Sequence, residues 1–388
     1  MRKKLLYQEI IDYLQAKITS REFAPGDLLP SEFELARHFQ VSRITAQKAL
    51  DELENSGLVY RVRGKGSFVS DQPQVAPGNA AEPSLKIIAL VIPFGSSLGR
   101  GFDVIQNLSA VLSRNGYYLS VHISHYSIEE EREILANLVR DGVAGIVIYP
   151  FSHRDNVDLI HRLLLNNYPI ITVDKFYDVL PVSGVLSDNF NGSYQATAHL
   201  IARGHRNIVF VSDRELAAAN SVSERYFGFC KALKDHGLPI TDEQLVLTEY
   251  RHNEPLFEAV KNNSPAVNAL LDPYKKIIAA LLEREKPCTA IHGLNDYLTI
   301  YLLKAALGMG IKVPQELSFI GFDNIDYSAY LEVPLTTVEQ NFKKIGEEAG
   351  HLMLRRINDP AGECSRIVIP VELIERRSTG FWEAAVNY

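Results

Sequence analysis

Hydrophobic residues in the N-terminal part of the chain recur at helical spacing in two segments. The first segment places apolar side chains on one face of a predicted helix: Tyr7, Ile10, Ile11, Leu14 and Ile18. The second has the i, i+3, i+4, i+7 spacing of a buried helical stripe: Ala46, Ala49, Leu50 and Leu53. Between them, Ser31 and Glu34 have the spacing of a capping box, which predicts a short helix that ends near Phe39.

The order of these segments favours a unit that binds double-stranded DNA. Two helices joined by Gln40 and Val41 fit a helix-turn-helix, in which the second helix enters the major groove. Ser42 is placed to cap that second helix. Residues 58–62 and 67–69 then bracket a basic tip that contains two glycines, and this pattern predicts a β-hairpin wing.

Beyond residue 85 the pattern changes to short apolar runs that alternate with helical segments. Predicted strands cover residues 86–92, 118–123, 144–149, 169–173, 207–211, 288–292 and 317–321. Predicted helices cover residues 102–115, 128–140, 155–166, 190–202, 222–236 and 297–309. This alternation is typical of α/β folds with parallel sheets covered on both faces, and its restart near residue 190 indicates two successive lobes.

The composition of residues 71–85 marks a domain boundary. This segment contains three prolines and one glycine, as linkers do. We therefore predict a DNA-binding domain over residues 1–70, a linker over 71–85 and a two-lobed domain over 86–388. The first 70 residues hold 11 basic and 9 acidic residues, whereas the remainder has a net charge of −9. A basic head on an acidic body is compatible with a nucleic-acid-binding head.

The sequence also narrows the class of protein. The basic N-terminus is not followed by an apolar signal-peptide run, and no stretch approaches the roughly 20 apolar residues of a membrane span. Three widely spaced cysteines argue against a disulfide framework or a zinc cluster. We expect a cytoplasmic protein that does not interact with membranes and has no metal, no cofactor and no catalytic dyad.

Several motifs of the head resemble the winged-helix signature of the GntR family. They are Leu29-Pro30-Ser31-Glu32, Glu34-Leu35-Ala36, Val41-Ser42-Arg43, Gly57-Leu58-Val59 and Arg63-Gly64-Lys65-Gly66-Ser67-Phe68-Val69. The resemblance implies contacts to bases or phosphates from the recognition helix, from its groove-facing neighbour Glu32 and from the wing. The candidate DNA-binding residues are Glu32, Ser42, Arg43, Ile44, Thr45, Gln47, Lys48, Arg61, Arg63, Gly64 and Lys65.

The body resembles the ligand-binding domain of the LacI/GalR repressors, which is itself similar to periplasmic sugar-binding proteins. The matching motifs include Asp141-Gly142-Val143-Ala144-Gly145-Ile146, Arg203-Gly204-His205, Asn295-Asp296, Leu317-Ser318-Phe319-Ile320-Gly321-Phe322-Asp323-Asn324 and Pro334-Leu335-Thr336-Thr337-Val338-Glu339-Gln340. Its combination with a GntR-type head resembles the arabinose-repressor arrangement. The stretch from residue 248 to 285 is longer than that family's pattern, with one additional predicted helix.

A ligand cleft is expected where parallel strands end. Asp174, Asn295 and Asp323 follow predicted strands, and ligands of open α/β sheets bind at such ends. A polyhydroxyl ligand needs carboxylates, amide or guanidinium donors, and an aromatic face. Phe94, Phe102, Phe176 and Phe322 are candidate stacking residues. With the contacts that the resemblance implies, the cleft set is Phe94, Arg100, Phe102, Asp174, Phe176, Ser221, Arg225, Asn295, Asp323 and Gln340.

Alternatives remain for the residues and for the protein. Asn295 and Asp323 could cap helices, Lys48 could be a solvated charge, and Arg100 fits a solvated loop better than an anionic ligand. The reading we favour is a homodimeric repressor of a sugar-utilisation operon, which a small sugar releases from operator DNA. A cytoplasmic sugar-binding protein whose effector is a nucleoside, a sugar phosphate or an oligosaccharide is the alternative. The sequence does not decide whether the effector weakens or strengthens DNA binding.

Overall fold

The chain folds into two units, Met1–Ser84 and Leu85–Tyr388, in a computed structural model. The structure describes residues 6–55, 58–62, 65–70, 85–93, 101–249, 254–262 and 267–382. The predicted linker, residues 71–85, lies outside this description except for Leu85. Within the described ranges, no helix combines the length and the apolar character needed to cross a membrane.

The amphipathic N-terminal segments form a three-helix unit with a hairpin. Its elements are α1 Leu6–Thr19, α2 Glu32–His38, α3 Arg43–Asn55, β1 Val59–Val62 and β2 Gly66–Val69. The predicted capping box is confirmed, because the Ser31 side chain accepts from the Glu34 N–H and the Glu34 carboxylate accepts from the Ser31 N–H at 2.8 Å. The predicted stripe of α3 is also buried, with each of its four apolar side chains at most 1% exposed. Burial of this stripe turns the opposite face of α3 outward.

The turn between α2 and α3 and the hairpin complete this unit. Gln40 has a φ of 52°, so the chain reverses through a left-handed residue directly after the C-cap Phe39. The two wing strands pair antiparallel, with Val59 opposite Val69, and both of these valines are buried in the head core. The helix-turn-helix and its wing therefore share one hydrophobic core.

The larger unit contains two six-stranded sheets. Its strands are β3 Ile87–Ile92, β4 Tyr118–Ile123, β5 Gly145–Ile148, β6 Ile170–Val173, β7 Ser183–Ser187, β8 Ile208–Ser212, β9 Leu245–Leu247, β10 Ala290–Gly293, β11 Ser318–Asp323, β12 Thr336–Glu339, β13 Arg366–Ile369 and β14 Glu372–Ile374. The first sheet has the order β13-β7-β6-β5-β3-β4 and the second β14-β12-β11-β10-β8-β9. All pairs are parallel except β12 with the edge strand β14. The predicted α/β class is confirmed.

Within the described residues of this unit, ten α-helices accompany the sheets. They are α4 Gly101–Arg114, α5 Ile128–Arg140, α6 Val157–Leu165, α7 Asn189–Ala202, α8 Asn220–Asp235, α9 Glu254–Lys261, α10 Val267–Leu270, α11 Asp272–Leu282, α12 Asp296–Gly308 and α13 Phe342–Asn358. The predicted helix 128–140 is matched residue for residue. The stretch 248–285, for which an additional helix is predicted, holds α9, α10 and α11. Buried Val260, Tyr274 and Ile278 attach these helices to the second lobe.

The expectation of two strictly successive lobes is also wrong. The chain returns to the first lobe with α13, which packs on α4, and with β13, which pairs with β7. It crosses between the lobes after Ser187, after Glu339 and after Ile369. The physical reason is that β13 continues the first sheet beside β7, with Ile367 opposite Val185. Three adjacent crossings create a hinge region beside the carboxyl ends of the strands.

Close packing of α7 against α8 suggests a test of the second lobe. A Cβ at Gly228 would lie 2.1 Å from the backbone oxygen of Phe190, so Gly228→Ala forces the two helices apart. We expect a loss of about 1–3 kcal/mol in unfolding free energy. Urea unfolding followed by the fluorescence of Trp382, the single tryptophan, measures it. Lys234→Ala, at an exposed position of α8, is the control. Equal midpoints for the two variants would contradict the packing account.

Candidate functional site

The outward face of α3 carries most of the candidate DNA contacts. Ser42, Arg43, Ile44, Gln47 and Lys48 are exposed, and Ile44 is 78% exposed. Thr45 is half-buried, and its hydroxyl lies 2.8 Å from that of Ser42. Ser42 also accepts from the Thr45 N–H at 3.2 Å, so it caps α3 as predicted.

Two cations of this face are held by neighbouring side chains. The Arg43 Nε donates to the Glu32 carboxylate at 3.0 Å, and its guanidinium lies 5.3 Å from the Phe33 ring centroid. The Lys48 ammonium lies 4.4 Å from the ring centroid of Tyr7. Glu32 therefore sits beside the recognition helix and directs the arginine, as its place at the start of α2 suggested.

The candidate DNA-binding residues of the wing have different surroundings. Lys65 is exposed at the hairpin, whereas Arg63 and Gly64 lie outside the described residues. Arg61 turns toward α3, where it forms ion pairs of 2.6 Å with Asp51 and 3.3 Å with Glu54. This contact joins the wing to the recognition helix, and it gives Arg61 a structural role beside the predicted role in DNA binding.

In the larger unit, the predicted cleft carboxylates stand directly at strand ends. Asp174 follows β6 and is 8% exposed, and Asp323 ends β11 with 20% of its side chain exposed. Both have left-handed backbones, with φ of 65° and 113°. Such strain in residues other than glycine clusters at functional sites. One carboxylate thus comes from each lobe.

Arg225 is the central cation of this cleft. Its Nη2 lies 3.2 Å from Asp323 Oδ1, its Nε donates to Asn189 at 2.9 Å, and its Nη1 donates to the Leu294 carbonyl at 2.8 Å. The guanidinium also stacks 3.7 Å from the ring centroid of Phe322. Phe322 belongs to the hydrophobic core of the second lobe and has no solvent exposure, so the expectation that it stacks on a ligand is wrong.

Gln340 joins the two lobes at the hinge. Its Nε2 donates to Asp323 at 2.6 Å, and its Oε1 accepts from the Ser187 hydroxyl at 2.5 Å. Gln340 follows β12 and Ser187 ends β7, so this side chain spans two of the three crossings. A second bridge runs through Asn220, which accepts from the Phe176 N–H at 3.1 Å and donates to Asp178 at 2.5 Å.

The remaining predicted cleft residues have mixed placements. Ser221 is buried in the first turn of α8, near Arg225 in sequence. Asn295 caps α12, since its Oδ1 accepts from the Leu298 N–H at 2.9 Å, which leaves the donor end of the amide for a ligand. The Phe176 ring lies 3.9 Å from the Arg366 guanidinium, and Phe102 is 58% exposed. Phe94 and Arg100 lie outside the described residues.

Tyr149 and Asn189 lie beside the cleft side chains but are not among the cleft residues predicted from the sequence. Tyr149 follows β5, and burial together with the adjacent Asp174 carboxylate raises its pKa well above the usual range. The strand-end rule that selected Asp174 also selects Tyr149. Asn189 opens α7 and binds Arg225, but the strand before it, β7, was not predicted from the sequence.

Burial raises the pKa of two carboxyl groups of the second lobe. It raises the pKa of Asp323 to about 6, although Arg225 acts in the opposite direction. It raises the pKa of the neighbouring Asp296 to about 8, with a further contribution from Asp323. In the part of the chain that is described, no cluster of three His, Cys, Asp or Glu side chains could hold a metal ion. The cleft therefore offers hydrogen bonds from carboxylates, amides and one guanidinium.

Two family models match the chain. The model for bacterial regulatory proteins of the gntR family matches residues 6–69, and the model for a periplasmic binding protein-like domain matches residues 197–379. The arabinose metabolism transcriptional repressor of Geobacillus stearothermophilus is 29% identical over 384 residues, which cover 96% of each chain.

Solved structures agree with this fold. A LacI family transcriptional regulator from Enterococcus faecium with bound ribose matches with a TM-score of 0.61 and 26% identity, over 77% of this chain and all of that one. The transcription regulator CcpA of Lactococcus lactis matches with a TM-score of 0.64 and 21% identity, over 76% of this chain and 99% of that one.

One chain contains both an exposed recognition helix and a two-lobed polar cleft. These features define the class of the protein, which is a DNA-binding transcriptional regulator. A GntR-family domain matches residues 6–69, and a periplasmic binding protein-like domain matches residues 197–379. The predicted combination of these two domains is confirmed.

The contact between Arg225 and Asp323 allows a direct electrostatic test. Because Arg225 lowers the pKa of Asp323, Arg225→Met should raise that pKa above its value of about 6. Carboxyl ¹³C shifts of labelled aspartate, recorded against pH, measure the change. Lys231→Met, which removes an exposed cation of α8, should leave the Asp323 titration unaltered. An unchanged titration in the Arg225 variant would show that the two groups do not interact.

Proposed function

We propose that this protein represses a sugar-utilisation operon as a homodimer and that a free sugar releases it from operator DNA. Residues 1–70 are the proposed DNA-binding domain, residues 71–85 the linker, and residues 86–388 the effector-binding and dimerisation domain. The observation that carries the proposal is the pairing of an outward recognition helix with a cleft that has one strained carboxylate from each lobe. The protein acts by binding rather than by catalysis, in the cytoplasm.

The recognition face supports sequence-specific reading of DNA. Arg43 and Gln47 are exposed on the same side of α3, and such side chains pair bidentately with guanine and adenine in the major groove. Ile44 offers an apolar surface for a thymine methyl group. Glu32 orients Arg43, while Lys48 and Lys65 supply phosphate contacts that set affinity rather than sequence preference.

Replacement of Arg43 tests this assignment. Arg43→Ala should cost about 1–3 kcal/mol of operator binding and relax the preference at one base position. Arg37→Ala, which removes the same charge from an exposed position of α2, should weaken operator and unrelated DNA to the same small extent. Titrations of both duplexes at one salt concentration measure the ratio. Retention of the full operator preference by Arg43→Ala would exclude base reading by this residue.

The chemistry of the cleft favours an uncharged polyhydroxyl effector. Gln340 donates to Asp323 at 2.6 Å, and the buried guanidinium of Arg225 is already paired with Asp323. An anionic ligand would meet the carboxylates of Asp174 and Asp323, so a sugar phosphate is disfavoured as the effector. Relatives named for arabinose metabolism and a similar structure with ribose make pentoses the first probes.

A thermal-shift panel tests the effector class. L-arabinose, D-ribose, hexoses, sugar phosphates, nucleosides and cellobiose are compared at equal concentration. A sugar at a hundred times its Kd should stabilise the protein by about 2.7 kcal/mol. Asp323→Asn should remove most of that shift, whereas Glu283→Gln, the same chemical change at an exposed position, should keep it. The effective sugar should then release operator DNA.

The effector class and the control of DNA binding by the cleft can be contradicted separately. A shift with nucleosides or sugar phosphates only would replace the free-sugar effector by the alternative class. A bound sugar that leaves operator affinity unchanged would show that the cleft does not control the head.

A further inference from the structure

The loop that carries Asp323 contains two consecutive left-handed residues. Asp323 has a φ of 113° and Asn324 a φ of 50°, and neither is a glycine. Residues with a Cβ keep such conformations only where surrounding contacts enforce them. The orientation of the Asp323 carboxylate therefore depends on what holds this loop.

Asp296 makes the main side-chain contacts that hold the loop after Asp323. It is the first residue of α12, and its side chain has no solvent exposure. One carboxylate oxygen accepts from the Ile325 N–H at 2.9 Å, and the other accepts from the Thr337 hydroxyl at 2.5 Å. Thr337 in β12 accepts in turn from the Asn324 N–H at 3.3 Å. Both residues after Asp323 are thus fixed to the same carboxylate, one directly and one through a hydroxyl.

The packing around Asp296 is tight on its strand side. A Cβ at Gly321 would lie 2.2 Å from Asp296 Oδ1, so only glycine fits this position of β11 beside the carboxylate. From the C-terminal segment, Arg376 donates to the Asn324 side chain at 2.6 Å, and Asn324 donates to Glu339 at 3.1 Å. The loop is held by α12, β12 and the C-terminal segment together.

We propose that Asp296 and Thr337 are positioning residues for the effector: they hold the Asp323 carboxylate against Arg225 and toward the ligand without touching the ligand. This inference rests on the effector function proposed for the cleft. A carboxyl group suits the role because each of its two oxygens holds one partner, the Ile325 N–H or the Thr337 hydroxyl. Neither residue is exposed, so an effect of either on binding is indirect, through the loop that carries Asp323.

A matched pair of substitutions at Thr337 tests the proposal. Thr337→Val keeps the shape of the side chain and removes the hydroxyl, while Thr337→Ser keeps the hydroxyl. The affinity for L-arabinose and for D-ribose, measured by calorimetry, should fall about tenfold in the valine variant and by less than about threefold in the serine variant. Equal affinities of the valine variant and the wild type would overturn the proposal.

Two further measurements need no ligand. Amide exchange should rise at residues 323–326 in Thr337→Val and stay at the wild-type level in Thr337→Ser. The Asp323 carboxyl should titrate at a higher pH in the valine variant, because its pairing with Arg225 weakens. Loss of affinity with unchanged exchange and unchanged titration would show that Thr337 affects binding without acting on Asp323, and would overturn the positioning role.

The outcomes also separate this inference from the proposed function. If the wild type binds neither sugar, the pentose effector is wrong, while exchange and titration still decide whether Thr337 positions Asp323. If Thr337→Val does not fold, judged by the fluorescence of Trp382, the same three measurements are made on Asp296→Asn, which keeps one acceptor.

Discussion

The buried guanidinium of Arg225 is the constraint on which the cleft depends. A charge removed from water is costly unless ion pairs and hydrogen bonds replace its hydration. Here Asp323, Asn189 and the Leu294 carbonyl replace it, and the Phe322 ring covers one face. These partners come from β11, α7 and the end of β10, so one side chain of α8 brings together the elements of the second lobe that line the site.

Strain and satisfied polarity occur together at this site. Asp174 and Asp323 hold left-handed conformations that the backbone alone would avoid, and buried hydrogen bonds compensate. Gln340 and Asn220 each connect side chains or backbone groups of both lobes. A ligand that changes the strength of these bridges changes the equilibrium between lobe arrangements, which is the physical requirement for a sensor.

In the head, two local features position the recognition helix α3. Burial of one apolar stripe orients the helix, and the Ser42 cap fixes the N-terminus of the helix. Arg43 and Arg61 both form ion pairs, but the Arg43 side chain is 64% exposed, whereas that of Arg61 is 29% exposed between Asp51 and Glu54. Exposure therefore separates the candidate base contact, Arg43, from Arg61, which joins the wing to α3.

The sequence by itself determined the elements whose cause is local. Helix 128–140, the Ser31–Glu34 capping box and the stripe of α3 follow from periodicity and side-chain capping, and motif resemblance identified both domains. Three features were decided by the tertiary structure alone. They are the return of β13 to the first sheet, the stacking of Arg225 on the buried Phe322 ring, and the hydrogen bonds by which Asp296 holds the loop after Asp323. Their partners are far apart along the chain, and neither periodicity nor propensity records which distant residues meet.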